Sequence, residues 1–335
     1  MKYVELGKSG IQVSVMSLGC WALGGGGYWA EKTDDEASLR TIAAAMDAGI
    51  NFYDTAEVYG AGHSDELLGR AMEGNRDAFI VATKVYVDRH KTKNLEQSCN
   101  DSLKRLKTDY IDLFYPHFAP AEKIFEETIE ALFKLKKQGK VREIGICNFG
   151  LTSLKHLAEM GNMKEVVMHQ LPYNLLWRAI EYGIQQETVK NSIGIVAYSS
   201  LAQGLLTGIY ESVDQVPDNL KVARLYHHKH VNADHGEEGC EEDMFGDIKV
   251  IKELCRQNGL DMAAASIAWL FMQEGIASVL TGPTNTDQLK ENLKALDVSL
   301  TPELASKMSQ ITENVKEKMG DRADMWFPKD RTRII

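Results

Sequence analysis

Four side chains in the first part of the sequence have the types needed for proton transfer: Asp54, Tyr59, Lys84 and His117. A phenol of pKa ~10 is a poor acid near neutrality unless its anion is stabilised. A neighbouring ammonium stabilises that anion, and a carboxylate anchors the ammonium. Asp54, Lys84 and Tyr59 in contact would therefore make an activated proton donor. His117 would be a hydrogen-bonding partner for the oxygen that receives the proton.

The elements that must bring these groups together can be read from the apolar pattern. Asn51 to Asp54 reads as a short buried strand ending in a carboxylate, with Tyr59 in the loop that follows. Lys84 ends a second apolar run, 78–84, and His117 ends a third, 110–117. Strands that finish in titratable groups have their common home in a parallel barrel wrapped by helices, where the strand ends and the loops after them form the active-site face. The rest of the chain alternates accordingly. Residues 3–6 and 11–15 read as a hairpin able to cap the closed end. Strands follow at 17–21, 51–54, 78–84, 110–117, 141–147, 166–171, 194–199 and 278–282. Helices are expected at 34–48, 64–72 (with Ser64 as its cap), 94–107, 126–138, 152–160, 180–192, 247–258, 262–273, 286–296 and 302–317. Eight units in one right-handed winding close a barrel more readily than an open sheet. No G-x-G-x-x-G follows a first strand, which counts against a Rossmann domain. The expected fold class is α/β, a (β/α)8 TIM barrel in a single domain over 1–335, with an N-terminal β-hairpin, a long loop after strand 7 and a C-terminal tail.

The motifs Asp54-x-x-x-x-Tyr59, Thr83-Lys84, Asp109-Tyr-Ile-Asp-Leu-x-x-x-His117, Gly145-Ile-Cys-Asn148-Phe149, Gln170-x-x-Tyr173-Asn174, Ala197-Tyr198-Ser199, Gly204-Leu-Leu-Thr-Gly208 and Gln288-x-x-Glu291-Asn292 occur in this order. Together they resemble the aldo-keto reductase superfamily, in particular its single-barrel branches similar to inositol-utilisation enzymes and channel β subunits. The resemblance spans Ser17 to Asn292. It implies a carbonyl-reducing enzyme using a nicotinamide cofactor, with Asp54, Tyr59, Lys84 and His117 as the catalytic set. It also implies that Asn148 and Gln170 hold the nicotinamide carboxamide, that Tyr198 stacks on its ring, and that Trp21, Asp54, Cys147 and Ser199 lie beside it. Most relatives have a hydroxyl at the position of Cys147. Leu201, Gln203, Leu205 and Gly208 match the loop along the pyrophosphate, and Gly282, Gln288, Glu291 and Asn292 match the adenosine end. Family prevalence puts NADP(H) first, with NAD(H) open because Gly282-Pro-Thr-Asn-Thr-Asp287 has no Lys or Arg to grip a 2′-phosphate. The aromatics Trp21, Tyr28, Trp29, Phe118, Phe149 and Trp177 are candidates for the substrate pocket, suited to a sugar face or an aromatic aldehyde.

Composition removes other classes. A formal charge of −10 argues against a nucleic-acid surface. With 44% hydrophobic and 26% charged residues the chain suits a large core and a hydrated surface. Five cysteines without a C-x-x-C pair make no disulfide framework, and the N-terminus lacks an apolar stretch of signal-peptide length, so a reducing cytoplasm and no membrane association are expected. The stretch 210–245, rich in His, Glu, Asp and Gly, is long enough to be functional, and by resemblance it lies where the family folds a loop over its cofactor. Its His227, His228, His230, His235 and Cys240 have metal-like composition but no tetrahedral spacing, and no metal is expected. The tail from Met319 carries Trp326, Phe327 and three arginines, and the resemblance brings such tails to the substrate mouth. The expected partner is a small carbonyl or polyol, with a homo-oligomer left open. Two other readings stay in view: oxidation of a sugar or cyclitol hydroxyl by the same residues, and a cofactor-binding regulatory subunit.

Overall fold

The computed structural model describes residues 1–25, 34–86 and 91–335. It opens with an antiparallel hairpin, β1 (Tyr3–Glu5) and β2 (Gln12–Ser14). Eight parallel strands then close a barrel: β3 (Met16–Gly19), β4 (Phe52–Asp54), β5 (Ile80–Val85), β6 (Ile111–Pro116), β7 (Val141–Cys147), β8 (Val166–Pro172), β9 (Gly194–Tyr198) and β10 (Ile276–Thr281), the last pairing with the first. Sequential neighbours pair throughout, as a winding of right-handed β/α units requires.

Period-two alternation along each strand sends one set of side chains into the barrel and the other against the helices. The inner set includes Phe52, Ala82, Leu113, Tyr115, Cys147, Met168 and Val196, and the hairpin's Leu6, Ile11 and Val13 join the same cluster. The hairpin is thus a plug for the barrel's lower end. Leu6 and Val13 are fully inaccessible there, and burying each contributes roughly 1.5–3 kcal/mol.

The outer set packs on α2 (Asp35–Asp47), α3 (His63–Ala71), α4 (Thr92–Leu106), α5 (Phe125–Lys137), α6 (Leu151–Glu159), α7 (Ile184–Lys190), α8 (Glu241–Gln257), α9 (Met262–Phe271), α10 (Thr286–Leu293), α11 (Pro302–Ile311) and α12 (Glu313–Met319). Asp34, Asp261, Asn285 and Thr301 cap α2, α9, α10 and α11 by accepting backbone N–H groups that would otherwise be orphaned.

Several boundaries differ from the sequence expectation, each for a local reason. Trp21 does not extend β3 but opens a single helical turn, α1 (Trp21–Gly24). Gly183, at φ 123°, divides the stretch 180–192 into a 3-10 turn and α7. Thr312 separates α11 from α12. Helix α8 begins at Glu241, six residues before the expected 247, with Glu241, Glu242 and Asp243 in its first turn, where the helix dipole favours negative charge. Ser64 does not cap α3: Gly62 holds that position at φ 98°, and the Ser64 hydroxyl donates to Cys20 O. Among the described residues no helix is long and apolar enough to cross a membrane.

Candidate active site

Register places the chemistry. Asp54 pairs with Ala82, two residues before Lys84 on the same face of β5, and Lys84 pairs with Tyr115 on β6. Asp54, Lys84 and Tyr115 therefore converge at the upper end of the barrel interior. Lys84 is completely buried, and its Nζ donates to Asp54 Oδ1 at 2.5 Å, to Thr55 O at 2.8 Å and to Tyr59 Oη at 3.1 Å. All three ammonium protons are placed, which is what a lysine in a dry interior requires. Asp54 Oδ2 accepts in turn from Tyr115 Oη at 2.6 Å and Gln170 Nε2 at 2.8 Å.

Tyr59 reaches this network through a tight turn. Gly60 and Ala61 both have left-handed backbone, at φ 57° and 55°. A Cβ on Gly60 would lie 2.1 Å from Gly24 O, so only glycine lets the Tyr59 loop close on the turn after β3. In that arrangement the Trp21 ring stacks on Tyr59, centroids 5.6 Å apart and planes 19° from parallel. The His117 imidazole meets the Tyr59 ring edge-on at 5.8 Å. The main chain of His117 is held by its backbone N–H donating to Val85 O and by Asn148 Nδ2 donating to its carbonyl oxygen.

The electrostatics oppose one another. Burial pushes the Tyr59 phenol above its ordinary value, and the Lys84 ammonium pulls it back, so the cation limits the rise and does not reverse it. Burial also works against the Lys84 charge, yet Asp54 and its other neighbours outweigh that and hold the ammonium above the ordinary lysine range. Tyr115, buried against Asp54, stays firmly protonated. The site is thus a fixed cation beside a neutral phenol.

A second chain of hydrogen bonds runs across the ends of β7, β8 and β9. Cys147 Sγ donates to Gln170 Oε1 at 3.4 Å and accepts from Asn148 Nδ2 at 3.2 Å, while Tyr198 Oη donates to Asn148 Oδ1 at 2.9 Å. The thiol therefore makes the links that a hydroxyl would make at longer range. Positive backbone φ gathers in the same region: Asn148 at 58°, Ser199 at 54°, Ala202 at 47° and Gln203 at 55°. Strained backbone of this kind concentrates at ligand clamps. Leu201 and Leu205 flank that strained turn, Leu205 in the core, and Gly208 continues it with its carbonyl accepting from Lys252 Nζ at 2.9 Å. Beyond β10, a Cβ on Gly282 would meet none of the described residues within 4 Å. Gln288, Glu291 and Asn292 lie on α10, where spacings of three and four share one face. Convergent amides, a partly exposed Tyr198 ring, strained loop backbone and open space at Gly282 fit a dinucleotide, and these residues would hold it.

Two of the pocket aromatics must be corrected. Phe149 is fully buried beneath the mouth, packed on Phe125 at 5.8 Å and edge-on to His169, whose Nε2 accepts the Phe149 N–H. Trp177 is also fully buried; its Nε1 donates to Ala323 O and Arg224 covers its ring at 5.3 Å. Both are core, because each ring is enclosed by neighbouring side chains and chain. Phe118 is stacked on the His117 ring, centroids 5.3 Å apart. Tyr28 and Trp29 lie outside the described residues.

Tyr115 and Gln170 were not read as partners of Asp54. For Tyr115 the signal was present: it precedes His117 by two and so faces the same way along β6. The 210–245 stretch packs its Val222 to Tyr226 portion against the tail, Arg224 N donating to Met325 O and its guanidinium to the carbonyls of Met319, Arg322 and Asp324. Among the described residues His227, His228 and Glu238 bring possible ligand atoms together. His227 Nδ1 already accepts the Lys229 N–H while Nε2 faces Glu238 at 2.9 Å, so a hydrogen bond accounts for that grouping.

Comparison with known proteins gives a consistent result. A model of the Aldo/keto reductase family matches residues 15–313. The chain is 30% identical to the NADH-specific methylglyoxal reductase of Escherichia coli (strain K12), over 93% of this chain and 99% of that protein. It is 29% identical to a probable voltage-gated potassium channel subunit beta of Oryza sativa subsp. japonica, over 94% of this chain and 97% of that one. The glycerol dehydrogenase from Gluconobacter oxydans superposes with a TM-score of 0.79 at 28% identity, covering 93% of this chain and 95% of its own.

Proposed function

The chain belongs to the aldo/keto reductase family, and from that membership we propose that it reduces a small carbonyl compound to the alcohol with a nicotinamide dinucleotide, Tyr59 giving up the proton. The observation that carries this reading is the buried Lys84 ammonium held between Asp54 Oδ1 and Tyr59 Oη. When bound, the reduced nicotinamide supplies the hydride for the carbonyl carbon.

The chain's own residues do the rest. Tyr59 Oη donates its proton to the carbonyl oxygen as negative charge develops there. Lys84, 3.1 Å away, stabilises the phenolate left behind. Asp54 and Thr55 O keep the ammonium in place, so no reorganisation is needed at the moment of transfer. His117, edge-on to Tyr59, offers a second polar contact to the substrate oxygen. Asn148 and Gln170 orient the carboxamide, and the Tyr198 ring sets which face of the nicotinamide looks at the substrate. In the opposite direction the Tyr59 phenolate takes a proton from a hydroxyl.

The likeness to an NADH-specific methylglyoxal reductase favours a small oxo-aldehyde substrate and supports the intact tetrad as a working reductase site. Likeness to a glycerol dehydrogenase favours a second reading, oxidation of a polyol hydroxyl by the same residues in reverse. Initial rates of cofactor oxidation and reduction across a panel of aldehydes, ketones, sugars and polyols separate the two. Turnover of carbonyls well above that of any polyol supports the first; no carbonyl turnover with either cofactor form overturns it.

A further inference from the structure

The tail folds back over the mouth and carries a cation into it. Asp324, fully buried, gathers the segment by accepting from the N–H groups of Trp326 and Phe327, from the Thr332 hydroxyl and from the N–H of Arg333. Ile334 is buried, and Ile335 O accepts the Ser153 N–H at 3.0 Å. The backbone of Ile335 lies so close to Gly150 that a Cβ there would come within 2.5 Å of it. Anchored on both sides, Arg333 has little freedom in where its side chain goes.

Its guanidinium is clamped between two rings, 3.6 Å from the Phe118 centroid and 4.0 Å from that of Phe327. Phe118 is itself stacked on the His117 imidazole, so the cation stands one ring away from a residue of the tetrad. The only side-chain hydrogen bond of the guanidinium among the described residues is a long one, Nη1 to Tyr86 Oη at 3.4 Å. Its Nε is buried without an acceptor among the described residues, and no described carboxylate lies within ion-pair distance. The other tail arginines are answered: Arg331 pairs with Asp234 and Arg322 with Glu237.

A planar cation held rigid by stacking, with donors unfilled, is a ready site for an oxyanion, because a guanidinium fork matches carboxylate and phosphate and an orphaned buried donor costs free energy until it is paired. Resting on the reductase reading for where the carbonyl sits, we propose that Arg333 is a specificity-determining residue that selects carbonyl substrates bearing a carboxylate or phosphate a few bonds from the reacting carbon. Phe118 and Phe327 hold the guanidinium in place, and Tyr86 sets its rotation.

The test compares isosteric pairs that differ in charge: 4-carboxybenzaldehyde against 4-formylbenzamide, and succinic semialdehyde against 4-oxobutanamide, with glyceraldehyde 3-phosphate against glyceraldehyde to tell phosphate from carboxylate. At least one anionic member should exceed its neutral partner about tenfold or more in kcat/KM, mainly through KM. Arg333→Met should bring that ratio to within about twofold of one, and Arg333→Lys should keep part of it. An unchanged ratio in Arg333→Met, or no anion preference in the parent protein, overturns the assignment. A second measurement needs no turnover: calorimetric titration of 4-(hydroxymethyl)benzoate and its amide into the protein with oxidised cofactor. A carboxylate preference that disappears in Arg333→Met supports the site even where no aldehyde is reduced, a result that would defeat only the reductase reading. Equal affinities for acid and amide would overturn the site whatever the enzyme turns over.

Discussion

Gln170 Nε2 donates to Asp54 Oδ2 across 2.8 Å, joining two strands, β8 and β4, that stand opposite each other in the barrel. One hydrogen bond thus links an amide proposed to hold the cofactor to the carboxylate that anchors Lys84. With Tyr115 donating to the same oxygen, Asp54 is fixed from three sides, by Lys84, Tyr115 and Gln170. The ammonium is positioned by an acceptor that cannot move.

Tyr115→Phe removes one of those donors without changing the ring. A hydrogen bond to a buried carboxylate contributes ~1.5–3 kcal/mol, and the variant should lose about that much in urea unfolding. With one donor fewer, Asp54 draws the ammonium toward itself and away from Tyr59, so kcat should fall about tenfold while cofactor affinity stays within threefold. Parent-like values of both stability and kcat would show that Tyr115 only fills space.

Lys84→Met leaves the Asp54 carboxylate buried without its cation. Breaking such a pair costs about 3–5 kcal/mol, and Asp54→Asn combined with Lys84→Met should cost less than the two single changes added together. The pH dependence follows from the raised Lys84 pKa. The folded state holds that proton more tightly than the unfolded state, so the stabilisation is complete below the ordinary lysine value of 10.5 and is lost as pH rises through the higher folded value. Denaturation midpoints measured from pH 8 upward should decline more steeply in the parent than in Lys84→Met; parallel declines would contradict the assignment.

Asp247 gives a second pH effect with a clear sign. Burial, and then the nearby Asp243 charge, push its carboxyl up to about 6, with Lys318 opposing, and its Oδ2 has no hydrogen-bond partner among the described residues. A raised carboxyl pKa means stability is greatest below the ordinary 3.8 and falls as pH rises through about 6. Asp247→Asn should therefore gain about 1 kcal/mol at pH 7.5, a value reduced by solvent screening of a half-buried group, and nothing near pH 3.5. An equal gain at both pH values, read from thermal unfolding, would mean that the charge is not the cause.

Much of this was legible in the sequence because barrel units announce themselves locally. The expected strand 141–147 is β7 to the residue, its apolar run from Ile144 to Cys147 following the charged Arg142 and Glu143, and Lys84 and His117 fall at or just past strand ends as expected. What was not legible depends on contacts between distant segments. Phe149 follows Asn148 directly, yet its ring goes under the helices with Phe125 while Asn148 stays with Tyr198, a divergence that the left-handed φ of Asn148 produces and that no periodicity predicts. Trp177 is enclosed by Arg224 and Ala323, far along the chain. The start of α8 at Glu241 was hidden because the acidic, glycine-rich residues before 247 look like loop until a helix dipole is placed under them.

Cofactor choice is testable at the end of β10. The segment 282–287 carries no cation, and Thr284 is exposed at its centre. Thr284→Lys should lower KM for NADPH relative to NADH by about tenfold through a new charge-assisted contact to a 2′-phosphate. No change in the NADPH to NADH ratio would mean that the adenosine end does not lie against this segment.

The central claim is that Tyr59, beside the Lys84 ammonium, is the group that protonates the substrate oxygen. Single-turnover reduction by Tyr59→Phe, with cofactor affinity measured on the same preparation, tests it most directly. The account predicts a rate at least ~1,000-fold below that of the parent, in the upper part of what general acid catalysis contributes, with cofactor Kd changed less than threefold. A rate within about tenfold of the parent would contradict it and leave the buried lysine without a chemical purpose.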